Sequence, residues 1–260
     1  MDLELSIIVI SLLFFILSGA GADMDVGVYN VKEYGAPGDG QTDSTKAFEA
    51  AWCAACAVEG TATIVIPEGA YLLGPIIFKG PCKGKMVMQL KGQLLASTHL
   101  EAYTQNWIDF QYINGLVISG GGIFNGQGAS AWPHNQCPKT RICKLLPVNL
   151  VFSFVTNATI SGISSVDSKL FHFQIFESRD ITLDSIRISA PGDSPNTDGI
   201  HIADSTNIQV TNSVIGTVMT ASPSPRLHQF DHLKCSMRSL AMASADLAKM
   251  LMRKMSTVWR

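Results

Sequence analysis

Four stretches of the chain follow one pattern, and that pattern restricts the fold more than any other feature of the sequence. They begin at Asn114 (NGLVISG), Asn157 (NATISGI), Arg179 (RDITLDSIRI) and Thr206 (TNIQVTNSVI). Each opens on a polar residue, places apolar residues at alternate positions and closes on a small or polar turn. Alternation of this kind is the period of a half-buried strand. The last three starts are 22 and 27 residues apart. That is room for one coil of about three short strands, and coils bury their apolar side by stacking on one another. A β-sandwich is the rival, but its antiparallel hairpins do not repeat one motif in register. The expected class is all-β, a parallel β-helix.

The residues before the repeats have the same texture. Thr63–Ile66, Tyr71–Leu73, Ile76–Phe78, Val87–Leu90 and Gln93–Leu95 are short, β-rich and punctuated by Gly or Pro. One segment differs. From Thr45 to Ala57, Phe48, Trp52, Ala55 and Cys56 recur at helical spacing, with Asp43 placed as an N-cap. This predicts one capping helix near the N-terminus, its aromatic face in the core.

With 260 residues, 47% of them hydrophobic and 15% charged, the chain can bury a sizeable core and is too apolar for disorder. A net charge of −2 leaves no electrostatic footprint for nucleic acid. Residues 5–17 form an apolar run of 13, short of the roughly 20 needed to span a bilayer. Ala20 and Ala22 stand before Asp23 as an A-x-A cleavage site. Residues 1–22 are expected to be a signal peptide, although Asp2 and Glu4 stand where basic residues are usual. Cleavage leaves no membrane association.

Export fits the six cysteines. Cys53 or Cys56 is expected to pair with Cys82, and Cys137 with Cys143. Asn157-Ala158-Thr159 is a candidate glycosylation acceptor. No cofactor or metal is expected.

The stretch with most chemical content is Ser194-Pro195-Asn196-Thr197-Asp198-Gly199-Ile200-His201. It sets the carboxylate of Asp198 at the junction of a turn and a strand. Taken alone, Asp198 is as well explained as a turn residue. His201 alternates with Ile200 and Ile202, so it faces outward; no catalytic role is expected of it.

Three motifs in order change that balance. They are Tyr29–Asp43, the Gly-rich Gly120–Gly128 and Ser194–Gly199. Together they resemble the plant polygalacturonases, over about residues 26–217, and are most similar to the exo-acting, pollen-type branch. The resemblance implies a right-handed parallel β-helix and a secreted, monomeric enzyme of the cell wall. Its reaction is hydrolysis of α-1,4 links between galacturonic acids in pectin, with inversion. Inversion needs a general acid and a base with room for water between them. The family uses three aspartates. By resemblance Asp198 is one of the pair that holds the water, and Asn196 is a substrate-binding and support residue.

The chain then departs from the family. The expected Gly-Asp-Asp-Cys, Gly-His-Gly and Arg-Ile-Lys motifs are absent. Residues 218–260 contain none of the 22 glycines, six of the ten methionines, and seven Lys/Arg against two Asp/Glu. Codons for Thr217–Ser222 can be chosen so that a neighbouring frame spells Gly-Asp-Asp-Cys-Ile. In that frame Ser239–Ser244 can spell Pro-Gly-His-Gly-Ile, and Lys249–Trp259 also permits a segment like the family's next one. The expected organisation is therefore a signal peptide at 1–22, a partial β-helix domain at 23–217 and an out-of-frame tail at 218–260. The stack then lacks its later coils. Such a product is expected to be a polygalacturonase by descent with little activity. The alternative is a non-catalytic secreted fragment that binds pectin or is inert, with Lys139, Arg141 and Lys144 as basic groups for the polymer. Pectate lyase shares the β-helix, but it relies on Ca²⁺-binding carboxylate clusters, and the sequence presents none.

Overall fold

The computed structural model describes residues 25–217, apart from 136, 138–142 and 196. The expected signal peptide at 1–22, the tail at 218–260 and the site residue Asn196 lie outside the described residues.

Three parallel sheets form the sides of a coil. The first contains β1 (Asp25–Asn30), β3 (Thr61–Ile66), β6 (Lys85–Leu90), β9 (Asn114–Ser119), β12 (Thr156–Ser161), β15 (Arg179–Asp184) and β18 (Thr206–Thr211). The second contains β2 (Asp39–Asp43), β4 (Ala70–Leu73), β7 (Gln93–Ala96), β10 (Ile123–Asn125), β13 (Ser164–Val166), β16 (Arg187–Ser189) and β19 (Val214–Gly216). The third contains β5 (Ile76–Lys79), β8 (Ile108–Gln111), β11 (Leu150–Ser153), β14 (Phe173–Phe176) and β17 (Ile200–Ala203). Strands of one sheet are a full coil apart in sequence and pair in parallel. The architecture is the expected right-handed parallel β-helix.

The four repeats fall on β9, β12, β15 and β18, neighbours in the first sheet. Their register differs from the expected one by a residue. Thr156, not Asn157, stands opposite Asn114 and Arg179. The second residue of all four strands is left-handed, Gly115 at φ 82°, Asn157 at 55°, Asp180 at 56° and Asn207 at 53°, so Asn157 is the counterpart of Gly115 and not of Asn114.

Inward residues make the axial core. The third sheet contributes a column of rings, Phe78 on Phe110 and Phe110 on Phe152, each pair with centroids 5.2 Å apart. In the first coil the place of a third-sheet strand is taken by α1 (Thr45–Cys56). It buries Phe48 and Trp52, as the helical spacing predicted. Trp52 packs on Phe78 at 4.9 Å, and its Nε1 donates to the Lys79 carbonyl at 3.1 Å. Ser44, not Asp43, is the N-cap residue; Asp43 acts from one position earlier, its Oδ1 accepting the Thr45 N–H at 2.9 Å. Cys56 rather than Cys53 bonds Cys82. The bridge ties α1 to the loop after β5, and its sequence separation is 26. Closing a loop of that size stabilises the fold by about 3.5 kcal/mol in the chain-entropy account. Cys137 bonds Cys143, as expected.

Among the described residues β17, β18 and β19 are the last strands of their sheets. In this coil the column residue Ile202 is 48% exposed, against 0% for Ile175 one coil earlier.

Candidate active site

Asp198 stands at the end of the loop that joins β16 to β17. The loop is folded by its own small polar residues. Ser194 Oγ donates to the Pro191 carbonyl at 2.6 Å and lies 2.6 Å from Thr197 Oγ1. Both hydroxyl residues are buried. The loop is then stitched to the coil before it. The His172 N–H donates to the Asp198 carbonyl at 2.9 Å, and the Phe173 N–H to the Gly199 carbonyl at 3.0 Å. These bonds extend the third-sheet ladder by two residues, so the backbone of Asp198 is held with the rigidity of a strand.

The side chain of Asp198 keeps 14% of its surface exposed. His201 comes three residues later and projects from the outer face of β17. Its Nε2 lies 3.3 Å from Asp198 Oδ2. The Phe171 ring is stacked on the imidazole with centroids 4.0 Å apart and planes within 10°. Gln174 stands opposite His201 in the ladder. The sequence reading placed His201 outward but gave it no part in the site. The signal available was the spacing of three residues to Asp198 across a turn into a strand.

Other buried titratable groups lie near this face and look like ordinary surface charges in the sequence. Asp109 projects outward from β8 yet is only 3% exposed. Burial raises its pKa to about 7. Its Oδ2 accepts from Asn106 Nδ2 at 3.4 Å, and its Oδ1 has no partner. Lys169 is buried, with Nζ donating to the Gly126 carbonyl and lying 5.1 Å from the centre of the Tyr103 ring. Desolvation lowers its pKa to about 7. His172 lies inside the coil, 2.9 Å by Nδ1 from Ser165 Oγ, and burial lowers its pKa to about 4. Asn149 Nδ2 donates to the same hydroxyl at 3.2 Å. Gly126 is required beside this group: a Cβ there falls 2.3 Å from Asn149 Oδ1 and 2.6 Å from the Asp167 carbonyl.

Of the basic groups considered for polymer binding, Lys144 is exposed and lines a pocket of about 210 Å³ with Glu101, Tyr103 and His134. Lys139 and Arg141 lie outside the described residues. Among the described residues no cluster of three His, Cys, Asp or Glu is arranged to hold a metal ion, and no helix is long and apolar enough to cross a membrane.

A carboxylate held at the edge of the third sheet and partly exposed is placed to accept a hydrogen bond from water. The profile described as Glycosyl hydrolases family 28 matches residues 56–218, more than half of the chain. The chain belongs to glycosyl hydrolase family 28. An exopolygalacturonase of Zea mays is 46% identical over 192 residues, which are 73% of this chain and 47% of that protein. A polygalacturonase of Gossypium barbadense is 42% identical over 214 residues, 82% of this chain and 52% of that protein. This family-28 chain thus spans about half the length of the curated relatives it matches. Among solved structures, the family 28 exopolygalacturonase of Yersinia enterocolitica aligns with a TM-score of 0.61 at 16% identity, covering 72% of this chain and 42% of that one. The polygalacturonase of Erwinia carotovora ssp. carotovora aligns with a TM-score of 0.59 at 19% identity, covering 68% of this chain and 53% of that one. At these identities the structural likeness concerns the fold.

Proposed function

We propose that this family-28 chain is built for hydrolysis of α-1,4-galacturonosyl links in pectin, with Asp198 as one of the carboxylates that hold the attacking water. The observation that carries the reading is the position of Asp198, strand-held and partly exposed beside His201 on the outer side of the third sheet. Asn196, next but one before it, is the proposed substrate-binding partner. An inverting site needs a second carboxyl about 6.5–9.5 Å away to act as the acid. The expected Gly-Asp-Asp-Cys does not follow in the sequence. Acid–base assistance of this kind contributes about 10²–10⁴-fold. The full chain as written is therefore expected to turn over polygalacturonate negligibly in a reducing-sugar assay. Release matching that of the Zea mays relative rules this out. Retention of polygalacturonate without cleavage favours the non-catalytic pectin-binding reading.

The loss of strand rhythm after Thr217 supports a shifted frame as its origin. Sequencing the transcript across codons 212–222 decides this. Codons unable to spell Gly-Asp-Asp-Cys in the neighbouring frame refute the shift. The apolar run at residues 5–17 and the cysteines support export to the cell wall. Expression in a secreting plant host is expected to give a product starting at Asp23 and carrying a glycan on Asn157, whose side chain is exposed on the first sheet. Retention in the cytosol, or an unmodified Asn157 peptide in the mass spectrum, counts against the respective half.

A further inference from the structure

The chain contains two Asn-Gly pairs, Asn114-Gly115 and Asn125-Gly126, and the fold treats them oppositely. In such a pair no side chain on the second residue keeps its nitrogen away from the carboxamide carbon of the first. The backbone nitrogen can then attack that carbon, provided that the structure leaves both free to approach.

At Asn125-Gly126 it does not. Asn125 is the last residue of β10 and pairs with Leu95 on one side and Val166 on the other. The Gly126 N–H donates to the Val166 carbonyl at 2.9 Å, and Asn125 Oδ1 accepts the Gln127 N–H at 2.9 Å. Gly126 is also buried and wedged between Asn149 and the Asp167 carbonyl.

Asn114-Gly115 opens β9, and the Asn114 side chain is exposed. Gly115 stands outside the register of both neighbouring strands. The ladder to β12 holds Asn114 and then Leu116, and the ladder to β6 begins at Leu116. Its left-handed backbone, free to glycine, takes it out of line. The space around it is open, since a Cβ there meets nothing nearer than Lys85 at 3.7 Å. One coil later Asn157 aims its amide at the same pair: Asn157 Nδ2 donates to Asn114 Oδ1 at 2.7 Å. That oxygen gains negative charge when a nucleophile adds to Cγ, and an N–H already placed on it stabilises the charge.

We propose that Asn114 is a site of spontaneous deamidation in the folded protein, assisted by the Asn157 side chain one coil away. The Gly115 nitrogen bonds to Asn114 Cγ and gives up its proton. The Cγ–Nδ2 bond breaks, and the amide nitrogen leaves as ammonia with that proton. Water then opens the cyclic imide. Addition at Cγ breaks the new bond and leaves aspartate; addition at the backbone carbonyl leaves isoaspartate, with the chain running through Cγ. Either product puts a carboxylate on the exposed edge of the first sheet. Because Gly115 lies outside both ladders, the longer isoaspartyl backbone is accommodated without breaking them.

The test is peptide mapping of the full chain over time at mildly alkaline pH, with fragmentation that tells isoaspartate from aspartate. Both proteins compared carry Thr159→Ala, which removes the glycan acceptor and keeps Asn157. In the folded chain Asn114 is expected to convert several-fold faster than Asn125, whereas in concentrated urea the two convert at similar rates. Equal rates in the folded chain, or a faster Asn125, overturn the proposal. So does an Asn114 that stays intact when folded while the unfolded chain loses it. Asn157→Asp keeps the shape of the side chain but has no N–H to donate, and Asp180 holds the same left-handed position natively in β15. It is expected to slow conversion of Asn114 several-fold in the folded chain and not in urea. An unchanged rate in folded N157D overturns the assistance. Should that variant not fold, the comparison of Asn114 with Asn125 decides the site by itself.

Discussion

Replacing Phe152 by alanine lowers the free energy of unfolding by about 3–5 kcal/mol, read from urea denaturation. Phe152 is fully buried at the middle of the ring column, stacked on Phe110 at 5.2 Å and near Phe173 at 6.4 Å. Its loss opens a cavity between two coils, and strands paired above and below cannot collapse into it. Phe154→Ala is the internal comparison. Phe154 also stacks on a neighbour, Tyr112 at 4.7 Å, but it does so on the outer surface, where water replaces the lost contact. Its loss is expected to cost well under half as much. Equal costs for the two variants contradict the assignment of the column to the core.

The second large effect is in the pH dependence of stability. The folded protein raises the pKa of Asp109 from 3.8 to about 7. Between these values the folded state holds a proton that the unfolded state has lost, so this group makes stability fall as pH rises. The folded protein lowers the pKa of His172 from 6.5 to about 4. Between those values the unfolded state holds the extra proton, so this group makes stability fall as pH drops. The two slopes oppose each other from about pH 4 to 6.5, each reaching about 1.4 kcal/mol per pH unit. The unaltered chain is expected to show a shallow profile there. Asp109→Asn removes one slope and exposes the other, so stability gains about 3 kcal/mol from pH 4 to 6.5. His172→Gln gives the reverse tilt. Chemical denaturation at a series of pH values reads both. A flat profile in both variants means that neither group is desolvated as described.

Legibility in the sequence followed regularity. Alternating residues in β9, β12, β15 and β18 announced the coil because each coil repeats the same inward positions against the same axis. The helix at Thr45–Cys56 was legible from Phe48 and Trp52 for the same reason. Asp198 could be placed because a turn and a strand meet there. Regularity also explains what was missed. Asn157 has the same residue type as Asn114 but occupies the left-handed second position held by Gly115, Asp180 and Asn207, so matching the two asparagines displaces the start by one. Cys53 and Cys56 are a turn apart on one helix, and spacing alone does not tell which one meets Cys82. A second apolar core draws Ala131, Leu146, Val148 and Leu170 from two connections without any period. Asp109 points outward from β8 and Lys169 lies in the connection between β13 and β14, yet both are buried, and local pattern carries no sign of it. His201 belongs to the site through a ring from the previous coil.

The connection from β10 to β11 also bears on how such a scaffold can change. From Asn114 to Thr156 the chain spends 42 residues on one coil, against 23 from Thr156 to Arg179 and 27 from Arg179 to Thr206, yet the first-sheet ladder keeps its register through all four strands. Length added at that corner leaves the axis undisturbed, because each coil answers only to its two neighbours. Insertions and deletions there can therefore remodel the surface over β11 while the later coils, Asp198 among them, stay where they are. In a lineage of such proteins, the surface beside the third sheet is free to diversify at that corner, with little cost to the stability of the stack.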